Sequence, residues 1–149
     1  MTFDFSEFKN KKIIVTGSST GIGFETGIEF LNLGANVIFH GNQSINDLEA
    51  RVKTKSQSQN FKIFKSDFTD LSQVDDFMNN AINYLDGLDI LVNNAGTMVG
   101  RYQLDSISEK DFLKIFDLNA KSAYFATKSA CTIFKKQNYG NIINVSTIS

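Results

Sequence analysis

Thr16-Gly17-Ser18-Ser19-Thr20-Gly21-Ile22-Gly23 is the stretch that decides the fold. It follows a short β-branched run at residues 12–16 and opens a stretch of helical periodicity at residues 23–33. A pyrophosphate held at such a turn needs close backbone approach, unpaired N–H groups and the positive end of a helix dipole. Glycines allow the tight turn and remove the side chains that would block that approach. Three glycines alone could merely pack a helix against a sheet. Strand, glycine turn and helix in that order predict a dinucleotide site.

Outward from this turn, strands and helices alternate. Further strands are expected at residues 35–39, 61–65, 88–92 and 141–145. Gly34 closes the first helix as a cap, and a second helix is expected at residues 46–53. Ser72 and Asp75 predict a capping box for a helix reaching residue 85, and Ser108 and Asp111 repeat that pattern. The last helix is expected to run unbroken to residue 137, with Gly140 closing it. Parallel strands need crossover connections, so this alternation predicts an α/β fold with a doubly wound parallel sheet.

Composition narrows the function classes. The 149 residues suggest one domain, and fifteen basic against sixteen acidic residues leave a net charge of −1. No basic cluster points to nucleic acid or to a membrane surface. No apolar run approaches the roughly 18 residues of a membrane span, and the first dozen residues lack the apolar core of a signal peptide. The single cysteine, Cys131, allows no internal disulfide, which suits a cytoplasmic location; its helical context reads as a small buried apolar residue.

The glycine spacing is G-x-x-x-G-x-G, and it resembles the short-chain dehydrogenase/reductase family. Four further motifs agree in order: Asp67 within Ser66-Asp67-Phe68-Thr69, Asn93-Asn94-Ala95-Gly96 after the fourth strand, Asn119 within Asp117-Leu118-Asn119-Ala120-Lys121, and Asn144-Val145-Ser146-Thr147 at the fifth strand. The resemblance implies a Rossmann-type sheet ordered 3-2-1-4-5, incomplete on its carboxyl-terminal side. It implies hydride transfer between a nicotinamide and a carbonyl or alcohol, with similarity to 3-oxoacyl-carrier-protein reductases as the nearest guide to substrate. It also implies a homo-oligomer in the full-length form. Cofactor contacts would come from Thr16, Gly17, Ser19, Thr20, Gly21, Ile22 and Gly23 at the pyrophosphate. Asp67 and Phe68 would serve the adenine, and Asn93, Asn94, Ala95 and Gly96 would lie beneath the ribose. An Asx turn is the plain structural alternative for Asp67. Asn119, a poor helix former in mid-helix, would hold a water of the proton relay.

In the family a Tyr acts as proton donor, a Lys lowers its pKa and a Ser hydroxyl holds the substrate oxygen. The family register places that hydroxyl on Thr147, with Ser146 just before it. The Tyr-x-x-x-Lys pair belongs downstream of this strand, so residues 1–149 are expected to form a cofactor domain that stops before it. Tyr124 and Lys128 have that spacing, but they follow Asn119 in one helix and read as helix surface. The chain alone is therefore expected to be inactive. A non-catalytic nucleotide-binding or interaction fragment is the alternative.

An NAD site usually places an acid about 20 residues past the glycines. Here Phe39-His40-Gly41-Asn42-Gln43-Ser44 offers none before Asp47, Asn42 stands where the family often has Arg, and the balance favours NADP. For His40, the only histidine, a place near the adenosine is the alternative and a satisfied surface residue the preferred reading, and no second ligand accompanies it for a metal site.

Overall fold

A computed structural model describes residues 4–42, 45, 47–98, 100 and 105–146. Five strands form one parallel sheet: β1 (Lys12–Val15), β2 (Asn36–Gly41), β3 (Phe61–Lys65), β4 (Ile90–Asn93) and β5 (Asn141–Asn144). Their order is β3-β2-β1-β4-β5, the expected 3-2-1-4-5. The switch in direction falls between β1 and β4, where Val15 pairs with Val92.

Helices cover both faces because the strands are apolar on both. On one face Ile14, Ile38 and Leu91 pack against α3 (Leu71–Leu85) and α5 (Ser122–Gln137) through Val74, Met78, Ala81, Ala126 and Ala130. On the other, Ile13, Val15, Val37, Phe39 and Val92 meet α1 (Gly21–Asn32) and α2 (Leu48–Lys55) through Phe24, Ile28, Leu31, Leu48 and Val52. Neighbouring strand residues thus serve opposite cores. Gly27 brings α1 close to the sheet, since a Cβ there would overlap the Phe39 ring.

Several boundaries differ from the sequence expectation, each for a local reason. The first helix begins at Gly21 rather than residue 23, with Thr20 in an extended conformation as its N-cap. Gly34 follows that helix at φ +87°, as expected of a glycine just past the end. The α2 helix begins at Leu48; Asn46 lies outside the described residues. The α3 helix is capped by Asp70, whose carboxylate accepts the Ser72 amide at 3.0 Å and hydroxyl at 2.7 Å, so Ser72 is a donor and not the cap. Ser108 does cap α4 (Glu109–Phe116), its hydroxyl accepting the Asp111 amide at 3.1 Å. The expected single long helix is interrupted by a π-helical turn at Asp117–Lys121, where the Ser122 amide bonds the Asp117 carbonyl. Its end is set by Asn138 in the left-handed conformation (φ 60°), two residues before Gly140.

Candidate functional site

The site grows from the place where the carboxyl ends of β1 and β4 lie side by side. Thr16 is buried there, and its hydroxyl donates to the Val92 carbonyl while accepting the amides of Asn94 and Ala95, each at 3.0 Å. The Asn94 side chain answers by donating to the carbonyls of Thr16 (3.1 Å) and Gly17 (2.9 Å). Asn93 is buried as well and donates to Thr127 Oγ1 and Asn144 Oδ1, which ties β4 to α5 and β5. Thr16, Asn93 and Asn94 thus fix the backbone that a ligand would meet.

Two glycines are required by that closure. A Cβ on Gly17, which sits at φ +60°, would lie 2.6 Å from the Ala95 Cα. One on Gly23 would lie 2.6 Å from the Gly17 carbonyl oxygen and would overlap the Asn94 amide. Gly21 differs: it also has φ +60°, but a Cβ there would meet nothing within 4 Å. Its open side faces solvent at the start of α1, where the Thr20 side chain makes no capping bond. The first amides of a helix have no intrahelical partner, so those at Ile22 and Gly23 are left to an external acceptor. An anion suits that position by both hydrogen bonding and dipole.

The first amides of the loop are already used, and His40 uses them. The Gly17 N–H donates to His40 Nδ1 at 2.9 Å, and the Ser18 N–H donates to the His40 carbonyl at 2.8 Å. On its other edge the imidazole meets the Ser66 carbonyl at 3.0 Å through Nε2. His40 is only 3% exposed, so the surface reading of the sequence is corrected. Ser18 and Ser66 are buried beside it and Gly17 is partly buried, so the groups it serves need partners. Burial is the main cause that lowers its pKa to about 4, against opposing contributions from the Ser66 carbonyl and Asp67.

Phe68 is buried against this imidazole, with ring centroids 4.0 Å apart, so its side chain is a wall behind the site. Asp67 forms the Asx turn, accepting the Thr69 amide at 2.9 Å and hydroxyl at 2.8 Å on Oδ1. Those bonds, the Thr69 amide foremost, hold its carboxyl below the usual carboxylate range, and the Asn42 side chain adds to them. Ser19 sits against the end of β2: a Cβ on Gly41 would lie 3.0 Å from both Ser19 Cβ and Ile45 Cγ2.

A cavity of about 550 Å³ continues from the glycine turn across the sheet. Ile22, Asn94, Ala95, Gly96, Thr97 and Asn119 line it, with Ser146 and Val145 on the β5 side. Asn119 stands in the π-helical turn, a feature that recurs at functional sites. Its Nδ2 donates to the carbonyls of Thr97 (2.9 Å) and Ile115 (2.8 Å), and its Oδ1 accepts the Thr97 amide (3.0 Å). Thr147 lies outside the described residues. Tyr124 and Lys128 do not line this cavity. Tyr124 is 66% exposed on α5, and the Lys128 ammonium sits 5.4 Å from the Phe125 ring centroid. Among the described residues no group of three or more His, Cys, Asp or Glu is placed to hold a metal, and no helix is long and apolar enough to cross a membrane.

The sequence reading missed Thr97 and Ile115, and it preferred the surface for His40. Ile115 lies one helical turn before Asn119, and Thr97 directly continues Asn93-Asn94-Ala95-Gly96, so both had a positional signal. The signal for His40 was weaker, since its partners are 23 and 26 residues away.

Comparison with known proteins agrees with this geometry. The probable NADP-dependent mannitol dehydrogenase of Yarrowia lipolytica is 32% identical over 95% of this chain and 51% of its own length. A sorbose reductase of Schizosaccharomyces pombe is 31% identical over 100% of this chain and 59% of its own. The crystal structure of NADH-dependent reductase A1-R' complexed with NAD superposes with a TM-score of 0.87 at 29% identity, over 97% of this chain and 62% of that one. The chain therefore spans about half to three-fifths of the length of these relatives. The family described as short chain dehydrogenase matches residues 11–149. Because that match takes in every strand of the sheet, the chain belongs to the short-chain dehydrogenase family.

Proposed function

We propose that the protein transfers hydride between a nicotinamide dinucleotide and a small carbonyl or alcohol, with this chain providing the cofactor site. The observation that carries the reading is Gly21: its missing side chain opens on an uncapped helix start, the place a pyrophosphate needs. The nicotinamide supplies the hydride chemistry. The chain's residues bind and orient. The amides of Ile22 and Gly23, with Ser19 and Thr20 beside them, receive the pyrophosphate, and Asp67 receives the adenine amino group. Asn94, Ala95 and Gly96 floor the ribose. Asn119 keeps the rim of the cavity in place and holds a water for proton relay. Ser146, or Thr147 in the family register, offers the hydroxyl that holds the substrate oxygen.

NADP is the favoured cofactor. No acid stands at the end of β2 to repel a 2′-phosphate, and a side chain at Gly41 would lie tight against Ser19 and Ile45, its Cβ 3.0 Å from each. Asn42 and Thr20 offer neutral donors instead. Tyr124, 66% exposed and absent from the lining of the cavity, is not offered as the proton donor; the family register puts that Tyr after β5. Two relatives are named for mannitol and sorbose, which supports a polyol–ketose pair; the 3-oxoacyl thioester rests on general resemblance alone. Exposed Phe112, Leu113 and Phe116 on α4 support a homo-oligomer. The single cysteine suits a reducing cytoplasm. The test is fluorescence titration with NADPH and NADH, followed by turnover of the full-length protein on ketoses, polyols and 3-oxoacyl thioesters. Tighter NADPH binding and ketose reduction are expected; absence of binding by either dinucleotide contradicts the reading.

A further inference from the structure

We propose that His40 is a positioning residue for the cofactor: its imidazole, bonded to the Gly17 amide on one edge and the Ser66 carbonyl on the other, fixes the glycine turn relative to the Asp67–Phe68 segment. The proposal rests on the reading that a nicotinamide dinucleotide lies across both. That dinucleotide would touch the glycine turn with its pyrophosphate and the Asp67 segment with its adenine. The spacing between the two segments therefore sets how well both ends are met at once. His40 lies behind that spacing, bonding 2.9 Å to Gly17 and 3.0 Å to Ser66.

The partners dictate the state of the ring. The Gly17 N–H is a donor, so Nδ1 must present its lone pair. The Ser66 carbonyl is an acceptor, so Nε2 must carry the hydrogen. The neutral Nε2–H tautomer satisfies both; the imidazolium would set N–H against N–H at Gly17. Phe68 stacks on one side of the ring at 4.0 Å and Phe77 lies 4.8 Å away. Among the described residues Asp67 is the charged group that acts on it, favouring the imidazolium, but burial prevails and keeps the ring neutral. The backbone of His40 is tied in as well, its N–H donating to Ser18 Oγ at 2.8 Å, while that hydroxyl donates to the Val15 carbonyl at 2.6 Å. An apolar residue of the same size would fill the space. It would leave the Gly17 amide and Ser66 carbonyl without partners, free to turn toward each other or toward water.

Two substitutions separate packing from positioning. His40→Phe keeps a stacking ring and removes both polar contacts. His40→Asn removes the ring but places an amide oxygen where Nδ1 accepts the Gly17 N–H. Dissociation constants for NADPH and NADH are read at pH 7 on the full chain by fluorescence titration, with a thermal melt of each variant. The Phe variant, which loses both hydrogen bonds, is expected to bind at least about tenfold more weakly, and the Asn variant, which keeps the Gly17 contact and loses the Ser66 one, to fall between it and the wild type. If the Phe variant does not fold, His40→Gln is read in its place; its amide reaches toward Ser66 and leaves the Nδ1 position empty, so a weakening smaller than that of losing both contacts is expected. In the wild type, nitrogen NMR should show an unprotonated Nδ1 and a protonated Nε2. A folded Phe variant with unchanged affinity, an Asn variant as weak as Phe, or a protonated Nδ1 at pH 7 overturns the proposal while leaving the dinucleotide site standing. A wild type that binds neither dinucleotide overturns both.

Discussion

Asn119 and Thr97 close on each other through two hydrogen bonds, Thr97 N–H to Asn119 Oδ1 at 3.0 Å and Asn119 Nδ2 to the Thr97 carbonyl at 2.9 Å. One side chain in the π-helical turn thus satisfies both backbone groups of a residue in the loop after β4. The loop reaches it only because residue 96 is glycine: a Cβ there would lie 2.6 Å from Asn119 Oδ1. The backbone of Gly96 itself is not in the left-handed region, so alanine is barred by Asn119 and not by φ.

That geometry predicts a double-mutant cycle. Gly96→Ala should lose about 1–2 kcal/mol of stability through overpacking, and Asn119→Ala about 1 kcal/mol through lost hydrogen bonds. Together they should lose less than the sum, because Asn119→Ala removes the obstacle the new methyl meets. Urea unfolding of the four proteins measures the coupling. Strict additivity would mean that the close approach at Gly96 has no energetic weight. The amide of Thr97 should also exchange faster with solvent in Asn119→Ala.

Acid should destabilise the protein through His40. Its folded pKa, about 4, lies below the ordinary 6.5. The neutral ring therefore contributes stability that is present above pH 6.5 and is lost as pH falls through the window from 6.5 to about 4. Between pH 7 and pH 5 the loss should be about 2 kcal/mol. His40→Asn cannot titrate, so its urea midpoint should fall less over the same interval. Equal falls in both proteins would assign the acid sensitivity to other groups.

At the opposite, amino end of the sheet, the Asp89 carboxylate accepts the Lys12 amide at 2.7 Å, and the Asp89 amide donates to the Lys12 carbonyl at 2.8 Å. Lys11 adds a distant ion pair at 3.8 Å. Asp89→Ala would leave the Lys12 amide without its partner and should lose about 1–3 kcal/mol. Asp89→Asn, which keeps an oxygen acceptor, should lose less. Dinucleotide affinity should stay unchanged in Asp89→Asn, because the site lies at the other end of β1. A parallel loss of affinity would tie this end of the sheet to the cofactor.

The sheet and the glycine turn were legible because their signals are local. Runs such as residues 12–16 and 88–92 are β-branched or apolar on both faces, and a helix cannot be read into so few residues between turn signals. Cap assignments went astray where two cap formers stand two apart: Asp70 and Ser72 both qualify, and only the direction of the bond between them decides. The π-helical turn left no trace in the periodicity, since one inserted residue shifts a helix face without breaking it. His40 was misplaced for a different reason. A lone histidine belongs in a core only if both ring nitrogens find partners, and those partners, Gly17 and Ser66, lie on two other segments of the fold.

The central claim, that a dinucleotide pyrophosphate lies over Gly21, is tested most directly by Gly21→Asn. Asparagine tolerates the left-handed backbone better than other side chains, and nothing within 4 Å obstructs its Cβ, so the fold should be kept. Its amide would occupy the space assigned to the phosphates. Fluorescence titration of wild type and variant with NADPH, alongside a thermal melt of each, is the measurement. The account predicts a melt close to wild type and an affinity reduced by at least about tenfold, one hydrogen-bonded contact or more. A folded variant that binds NADPH as tightly as wild type would contradict it, and would leave the glycines as packing residues of the turn.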